Sequence, residues 1–149
     1  MSSTNEDETT KVVMRQTLMS VSEVFVYRIP PLKTVGGHRA EDWDLANPLK
    51  ECSLFVERKD HLCCVRLMSH VAKVGGPAGA TRAQLFAESI MDLSGGQPLL
   101  YFCEGVVDSS RYFAIRIIDE KRDKSALIGL GFRERDDASN FRMALQDWE

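Results

Sequence analysis

The stretch Tyr112-Phe113-Ala114-Ile115-Arg116-Ile117-Ile118, followed by Ser125-Ala126-Leu127-Ile128-Gly129-Leu130-Gly131-Phe132, decides the fold. Successive side chains of a strand alternate between faces, so Phe113, Ile115 and Ile117 point one way and Tyr112, Ala114 and Arg116 the other. In the second run Ala126, Ile128, Leu130 and Phe132 share a face. Gly129 and Gly131, on the other face, leave room for another element to approach closely. Asp119–Lys124 reads as a charged turn between the two. Past Glu134 the period lengthens to that of a helix. Phe141, Ala144, Leu145 and Trp148 then form one apolar stripe, with Glu134, Asp136 and Asp137 in the first turn, where the helix dipole favours carboxylates.

Upstream, short runs of β-branched and aromatic residues recur between Pro, Gly, Asp and Asn. Val24–Ile29 places Phe25, Tyr27 and Ile29 on one face and stops at Pro30-Pro31, because proline cannot donate to a strand ladder. A loop containing Gly36-Gly37 leads to Arg39–Leu45, and Asn47-Pro48 marks another turn. Cys52–Arg58 and Leu62–Met68 flank Lys59-Asp60 as a tight hairpin. Ser69–Thr81, with Gly75-Gly76-Pro77 and Gly79, reads as a flexible insertion. Strands follow at Leu85–Met91 and Leu99–Val107, separated by Ser94-Gly95-Gly96.

The pattern predicts a mostly β domain of about seven strands with one C-terminal α-helix, a small sandwich or barrel with a helical lid. A pleckstrin-homology-like fold fits it, and so do other β-rich folds. Residues 1–20 read as a largely disordered leader rich in Ser, Thr, Glu and Asp, in which Val12–Met19 is either an extra strand or a helical turn. Residues 21–149 form the domain.

Composition narrows the function classes. The chain has 149 residues, with 19 Lys+Arg against 22 Asp+Glu and a net charge of −3, which argues against nucleic-acid binding through bulk positive charge. No apolar run approaches the ~20 residues that span a bilayer, and the first ten residues are polar and acidic rather than a signal peptide. Cys52, Cys63, Cys64 and Cys103 have no framework spacing and read as reduced, half-buried side chains of a reducing compartment. His61 and His70 lie near Cys63-Cys64, but these neighbours point to opposite faces of a strand and no CxxC or HxxxH pair supports a zinc site.

The common phosphate-loop, zinc-protease and hydrolase signatures are absent. Gly129-x-Gly131 lies inside a strand and lacks the third glycine of a nucleotide loop. No catalytic residue, metal or cofactor is assigned. The Pro30–Arg39 loop offers Lys33, Arg39 and His38, a weak basic set for a phosphoinositide headgroup. Basic residues also gather around the last strands. Arg111 follows the turn Asp108-Ser109-Ser110, and Arg133 and Arg135 stand where the final strand becomes the helix. If that turn lies beside the helix start, guanidiniums converge near free helix N–H groups, a place for a phosphate or an acidic side chain. The alternative is that Arg111 and Arg135 merely pair with Asp136, Asp137 or Asp108 as surface ion pairs.

Tyr27-Arg28-Ile29-Pro30-Pro31, Arg39-Ala40-x-Asp42-Trp43, Asp108-Ser109-Ser110-Arg111-Tyr112-Phe113-x-Ile115-Arg116-Ile117, Ile128-Gly129-x-Gly131-Phe132, Arg135-x-Asp137-Ala138 and Leu145-Gln146-Asp147 appear in this order. The series resembles the N-terminal domain of the NECAP family, the adaptin-ear-binding coat-associated proteins of clathrin-mediated endocytosis, from about Glu23 to Asp147.

The resemblance implies a pleckstrin-homology-like, seven-stranded module that binds the plasma-membrane clathrin adaptor complex, preferring its open form phosphorylated on the medium subunit. It also implies binding of Phe-x-Asp-x-Phe-type peptides of endocytic accessory proteins, and no catalysis. It points to Arg135 as the phosphate-reading residue, with Ser109 and Arg111 in or near the adaptor-contacting turn and Arg133 beside them. A monomer, cytoplasmic and peripheral at coated pits and vesicles, is expected. The other reading is a phosphoinositide-binding membrane module.

The chain also departs from the family pattern. Asp136 replaces the glycine of the family's DRGDA and could compete for Arg135. Ser69–Ala83 is longer than usual, and Cys63-Cys64 is unusual strand content. The family's basic stretch and distal Trp-x-x-Phe tail do not follow Glu149, which reads as an excised domain in preference to a divergent short member.

Overall fold

A computed structural model of the chain describes residues 15–30, 37–119 and 124–149. Most of the leader, the 31–36 part of the first loop and most of the charged turn at Asp119–Lys124 lie outside the described residues. Of the two readings open for Val12–Met19, the strand holds from Arg15 onward.

One antiparallel sheet contains β1 (Arg15–Arg28), β2 (Lys50–Lys59), β3 (Leu62–Ala72), β4 (Thr81–Met91), β5 (Cys103–Gly105), β6 (Tyr112–Asp119) and β7 (Lys124–Phe132). Their order is β4-β3-β2-β1-β7-β6-β5, so the first strand pairs with the last in the middle of the sheet. β4 also packs on β6 across the fold, which closes the sheet over a common core. Two short α-helices complete the chain: α1 (Leu99–Phe102) and α2 (Arg135–Trp148). The observed architecture is therefore mostly β, one seven-stranded antiparallel sheet with a C-terminal helix.

The alternation read from the last two strands is what builds the core. Phe113 and Ile115 from β6, and Ile128, Leu130 and Phe132 from β7, face inward to meet Val24 and Val26 of β1. Helix α2 lays its stripe over them and buries Ala138, Phe141 and Leu145. The Phe141 ring sits 5.1 Å from Phe113 and 5.2 Å from Phe132, within the range of favourable aromatic packing.

A second cluster forms on the other face of the sheet. There Tyr27, Ala40, Trp43 and Val106 are buried, with Phe25, Ile29 and Tyr112 packed against them. The two strand glycines belong to this face. A Cβ on Gly129 would lie 2.6 Å from Trp43 Cζ3, and one on Gly131 would lie 2.7 Å from Tyr112 Cε2. The close approach inferred from their spacing is thus made by aromatic rings.

Three segments differ from the sequence pattern. Leu99–Val107 is not one strand: Leu99–Phe102 is a helical turn entered from Pro98, and only Cys103–Gly105 pairs with β6. A run this short does not show which period it follows, and none of the four turn residues is fully buried. Arg39–Leu45 contains a 3-10 turn at Ala40–Asp42. The Ser69–Thr81 insertion mostly extends the β3–β4 hairpin, with Ala72 paired to Thr81 and Lys73 N–H donating to Ala80 O at 2.9 Å. The Lys59-Asp60 hairpin is tight as expected, with Asp60 at φ 57°, a left-handed conformation that aspartate tolerates.

Candidate functional site

The turn before β6 is built around Asp108. Its two carboxylate oxygens accept the backbone N–H groups of Ala40 (2.7 Å) and Glu41 (3.0 Å), which satisfies the 3-10 turn and ties it to this point. Burial pushes the Asp108 carboxyl up, but those amides, its own backbone and Arg39 more than offset that and hold it below the usual carboxylate range. Asp108 is therefore engaged with the backbone rather than with Arg111. Ser109 Oγ next accepts the Arg111 N–H at 3.2 Å, shaping the bend that presents Arg111.

The Arg111 side chain crosses to the other end of the candidate site, where Nη1 donates to the Arg133 carbonyl at 3.1 Å. Arg133 in turn reaches back over β1. Its Nε and Nη2 both meet Glu23 Oε1, and its guanidinium lies 5.3 Å above the Phe25 ring. Glu51 adds a second carboxyl beside Glu23. Sharing a hydrogen bond with Glu51 and accepting from Arg133 holds the Glu23 carboxyl below the usual range, whereas Glu23 pushes the Glu51 carboxyl up.

Arg135 is the first residue of α2 and is exposed. Among the described residues no ion pair or side-chain hydrogen bond engages it, and Asp136 and Asp137 do not pair with either Arg135 or Arg111. The preceding Glu134 makes no side-chain cap, so the first amides of α2 receive no side-chain acceptor from that residue. Of the four residues expected here, the structure joins Ser109, Arg111 and Arg133 by direct contact. Arg135 stands two residues past Arg133, linked through the backbone. The arrangement gathers three arginines around the strand end and the N-terminus of α2, where an anionic group is favoured.

Sequence reasoning missed Glu23, Phe25 and Glu51. A signal was present: core residues Val21, Val24 and Val26 break the two-residue alternation, which marks a bulge around Ser22-Glu23.

A concavity lies between α1 and α2. It measures about 100 Å³ and is lined by Leu99, Cys103, Phe113 and Leu145 together with Arg142, whose guanidinium lies 5.3 Å from the Phe113 ring. Leu100 and Met143 are exposed on the same two helices. An apolar pocket beside a cation suits an aromatic or aliphatic anchor next to an acid.

Other candidates are engaged elsewhere. His38 is buried and faces Glu104 at 3.7 Å, and Arg39 is held by Glu41 at 2.8 Å, so neither stands free for a headgroup; Lys33 lies outside the described residues. All four cysteines are free and buried, and the expectation of half-buried thiols is corrected accordingly. Burial pushes the Cys52 thiol up to about 11 and Cys63 up to about 12, and raises Cys64 and Cys103 as well. A nucleophilic cysteine requires the opposite shift. His61 lies beside Asp60 and Asp92, and His70 on Ser53; no group of three potential metal ligands comes together among the described residues. No helix there is long and apolar enough to cross a membrane.

The family described as protein of unknown function (DUF1681) matches residues 14–149. Adaptin ear-binding coat-associated protein 2 of Mus musculus is 39% identical over 125 residues, covering 84% of this chain and 41% of that protein. Protein 1 of the same name and species is also 39% identical over 125 residues, covering 84% of this chain and 40% of that protein. An uncharacterized protein of Arabidopsis thaliana is 35% identical over 144 residues, 97% of this chain and 48% of its own length. The chain thus spans less than half the length of these relatives. Among solved structures, the Ran-binding domain of the nuclear complex component Nup2 from Ashbya gossypii matches at 11% identity and a TM-score of 0.46, covering 90% of this chain and 94% of that one. With its sequence matched by that family almost end to end, the chain belongs to the DUF1681 family, together with the adaptin ear-binding coat-associated proteins.

Proposed function

We propose that this domain is a non-catalytic recognition module of clathrin-mediated endocytosis that binds the clathrin adaptor complex in its phosphorylated, open form. The observation that carries this reading is the arginine junction. Arg111 and Arg133 are fixed around the β7–α2 corner, and Arg135 projects from the first turn of a helix whose N-cap residue supplies no side-chain acceptor. Arg135 is the phosphate-reading residue, and Ser109 and Arg111 shape the adaptor-contacting turn. Charge-assisted donors arranged in this way favour a phosphate over a neutral hydroxyl. The names of the relatives, which pair adaptin binding with coats, support the partner class.

The pocket between α1 and α2 is the seat for Phe-x-Asp-x-Phe-type peptides of accessory proteins, with the apolar wall taking an aromatic ring and Arg142 the aspartate. In this reading the domain works as a monomer in the cytoplasm, peripheral at coated pits and vesicles. The test is a pull-down of phosphorylated and unphosphorylated adaptor core with wild type and Arg135→Ala. Selective loss of the phosphorylated adaptor is expected. Equal loss of both forms would remove the phosphate role, and headgroup-dependent liposome pelleting at physiological salt without adaptor binding would replace the reading with a phosphoinositide module.

A further inference from the structure

We infer that the pocket between α1 and α2 and the Arg135 corner are two ends of one groove, which takes a single extended peptide with a phosphorylated residue about three positions from its aromatic anchor. The inference deepens the reading above and rests on Arg135 as the phosphate reader and on the pocket as an anchor site. It follows from the periodicity of α2. Ala138, Phe141 and Leu145 are buried on one face of the helix. Residues four and seven positions apart share a side, so Arg135, Ser139, Arg142 and Gln146 form one stripe, exposed throughout. This stripe borders the buried face on the side of the pocket, because Arg142 and Gln146 line the pocket together with Leu145. Asp136, Asp137 and Asp147 all fall off the stripe, and Glu149 follows the helix. Among the described residues no carboxylate pairs with Arg135 or Arg142.

The facing wall is β5, an outer strand of the sheet that pairs with β6. Its Gly105 has no side chain, and a Cβ there would lie 3.2 Å from Arg142 Nη2. The glycine thus lets the guanidinium settle against β5, 5.3 Å from the Phe113 ring, at the edge of the cavity of about 100 Å³. Arg135 and Arg142 are two helical turns apart, about 10 Å along the axis at 1.5 Å per residue. An extended peptide advances about 3.3 Å per residue, so about three residues cover that distance. Charge selects the occupant. Two cations on a stripe without acids, with an apolar cavity at one end, favour an acidic, phosphorylated segment with an aromatic side chain over a basic or uncharged one.

Fluorescence anisotropy of short labelled peptides tests the groove. Each carries one Phe-x-Asp-x-Phe element and one threonine, phosphorylated or not, placed either adjacent to the element or three positions before or after it. With the longer spacing, phosphorylation should tighten binding about three- to ten-fold in one of the two orientations, the scale of an exposed charge pair reinforced by the second phosphate charge. Arg135→Ala should remove that gain and leave the unphosphorylated peptide unaffected. The adjacent phosphate should gain nothing that depends on Arg135. Arg142→Ala, melting like wild type, should weaken every anchored peptide, phosphorylated or not. No gain in either orientation, a gain sensitive to Arg135 at both spacings, or no effect of Arg142→Ala would overturn the inference. The adaptor pull-down separates the two levels. If Arg135→Ala selectively loses phosphorylated adaptor but spacing has no effect, the single groove falls and the phosphate reading stands. If neither phosphorylated adaptor nor phosphopeptide responds to Arg135→Ala, the phosphate reading itself fails.

Discussion

Replacing Gly129 by alanine should destabilise the domain through a single residue, Trp43. The new methyl would stand 2.6, 2.8 and 3.0 Å from Cζ3, Cε3 and Cη2 of the indole, where ordinary contact begins near 3.4 Å. The ring must therefore recede by about 0.8 Å at its closest atom. It has little room to do so, being 5% exposed and packed against Tyr27 and Tyr112 with ring centroids 6.0 and 6.1 Å away. The turn that carries it is held from below by Asp108. Overpacking of this kind costs about 1–3 kcal/mol, which in a domain of this size lowers Tm by roughly 3–10 °C. Urea unfolding followed by tryptophan fluorescence measures the loss as a lower midpoint at constant slope. The decisive comparison is made in a Trp43→Leu background, where no indole remains to be displaced. There Gly129→Ala should cost less than half as much, a coupling that a double-mutant cycle isolates. A wild-type midpoint for Gly129→Ala, or the same loss in both backgrounds, would refute the reasoning.

Asp108→Ala should leave the amides of Ala40 and Glu41 without their acceptor and cost about 1 kcal/mol, read from the same urea midpoints. Because its folded pKa is depressed, the Asp108 contribution is complete above the unfolded value of about 3.9 and is lost as pH falls through the lower folded value, so the difference between wild type and Asp108→Ala should shrink in acid. The cysteines should behave in the opposite sense. Raised folded pKa values mean that stability is complete below the unfolded thiol value of about 8.5 and declines as pH rises beyond it. Thiol titration with an aromatic disulfide at neutral pH should accordingly label the buried cysteines slowly in native protein and fully in urea; rapid native labelling would contradict their burial.

The sequence carried the fold wherever one face was apolar over several alternating residues. Phe113-Ile115, Ile128-Leu130-Phe132 and the Phe141-Leu145 stripe all face the core as their period predicts. It was ambiguous where the run was too short to show a period, as at Leu99–Phe102, and where a bulge shifted the phase, as between Val21 and Val24. The site was legible in part for a related reason. Ser109, Arg111, Arg133 and Arg135 are close in sequence to a strand end or a helix start, places whose geometry can be read locally. Glu23 meets Arg133 across 110 residues, through the pairing of the first strand with the last, and no local pattern encodes that contact.

That long-range pairing changes which acid matters. Comparison with the family pattern directs attention to Asp136, which stands where glycine is usual and is adjacent to Arg135. A side chain at the next helical position nevertheless points to a different part of the helix surface, since residues face each other at three or four positions, not one. Asp136 accordingly makes no ion pair with Arg135 among the described residues, and it sits in the first turn where the helix dipole already favours a carboxylate. Glu23 is distant in sequence but arrives from the neighbouring strand, with its direction set by the bulge and its contact made along the Nε–Nη2 side of the guanidinium. Spatial approach, not sequence adjacency, decides which carboxylate pairs with an arginine here. A net charge of −3 is therefore compatible with the proposed phosphate-reading corner, because the same fold that gathers the arginines also places an acid against one of them.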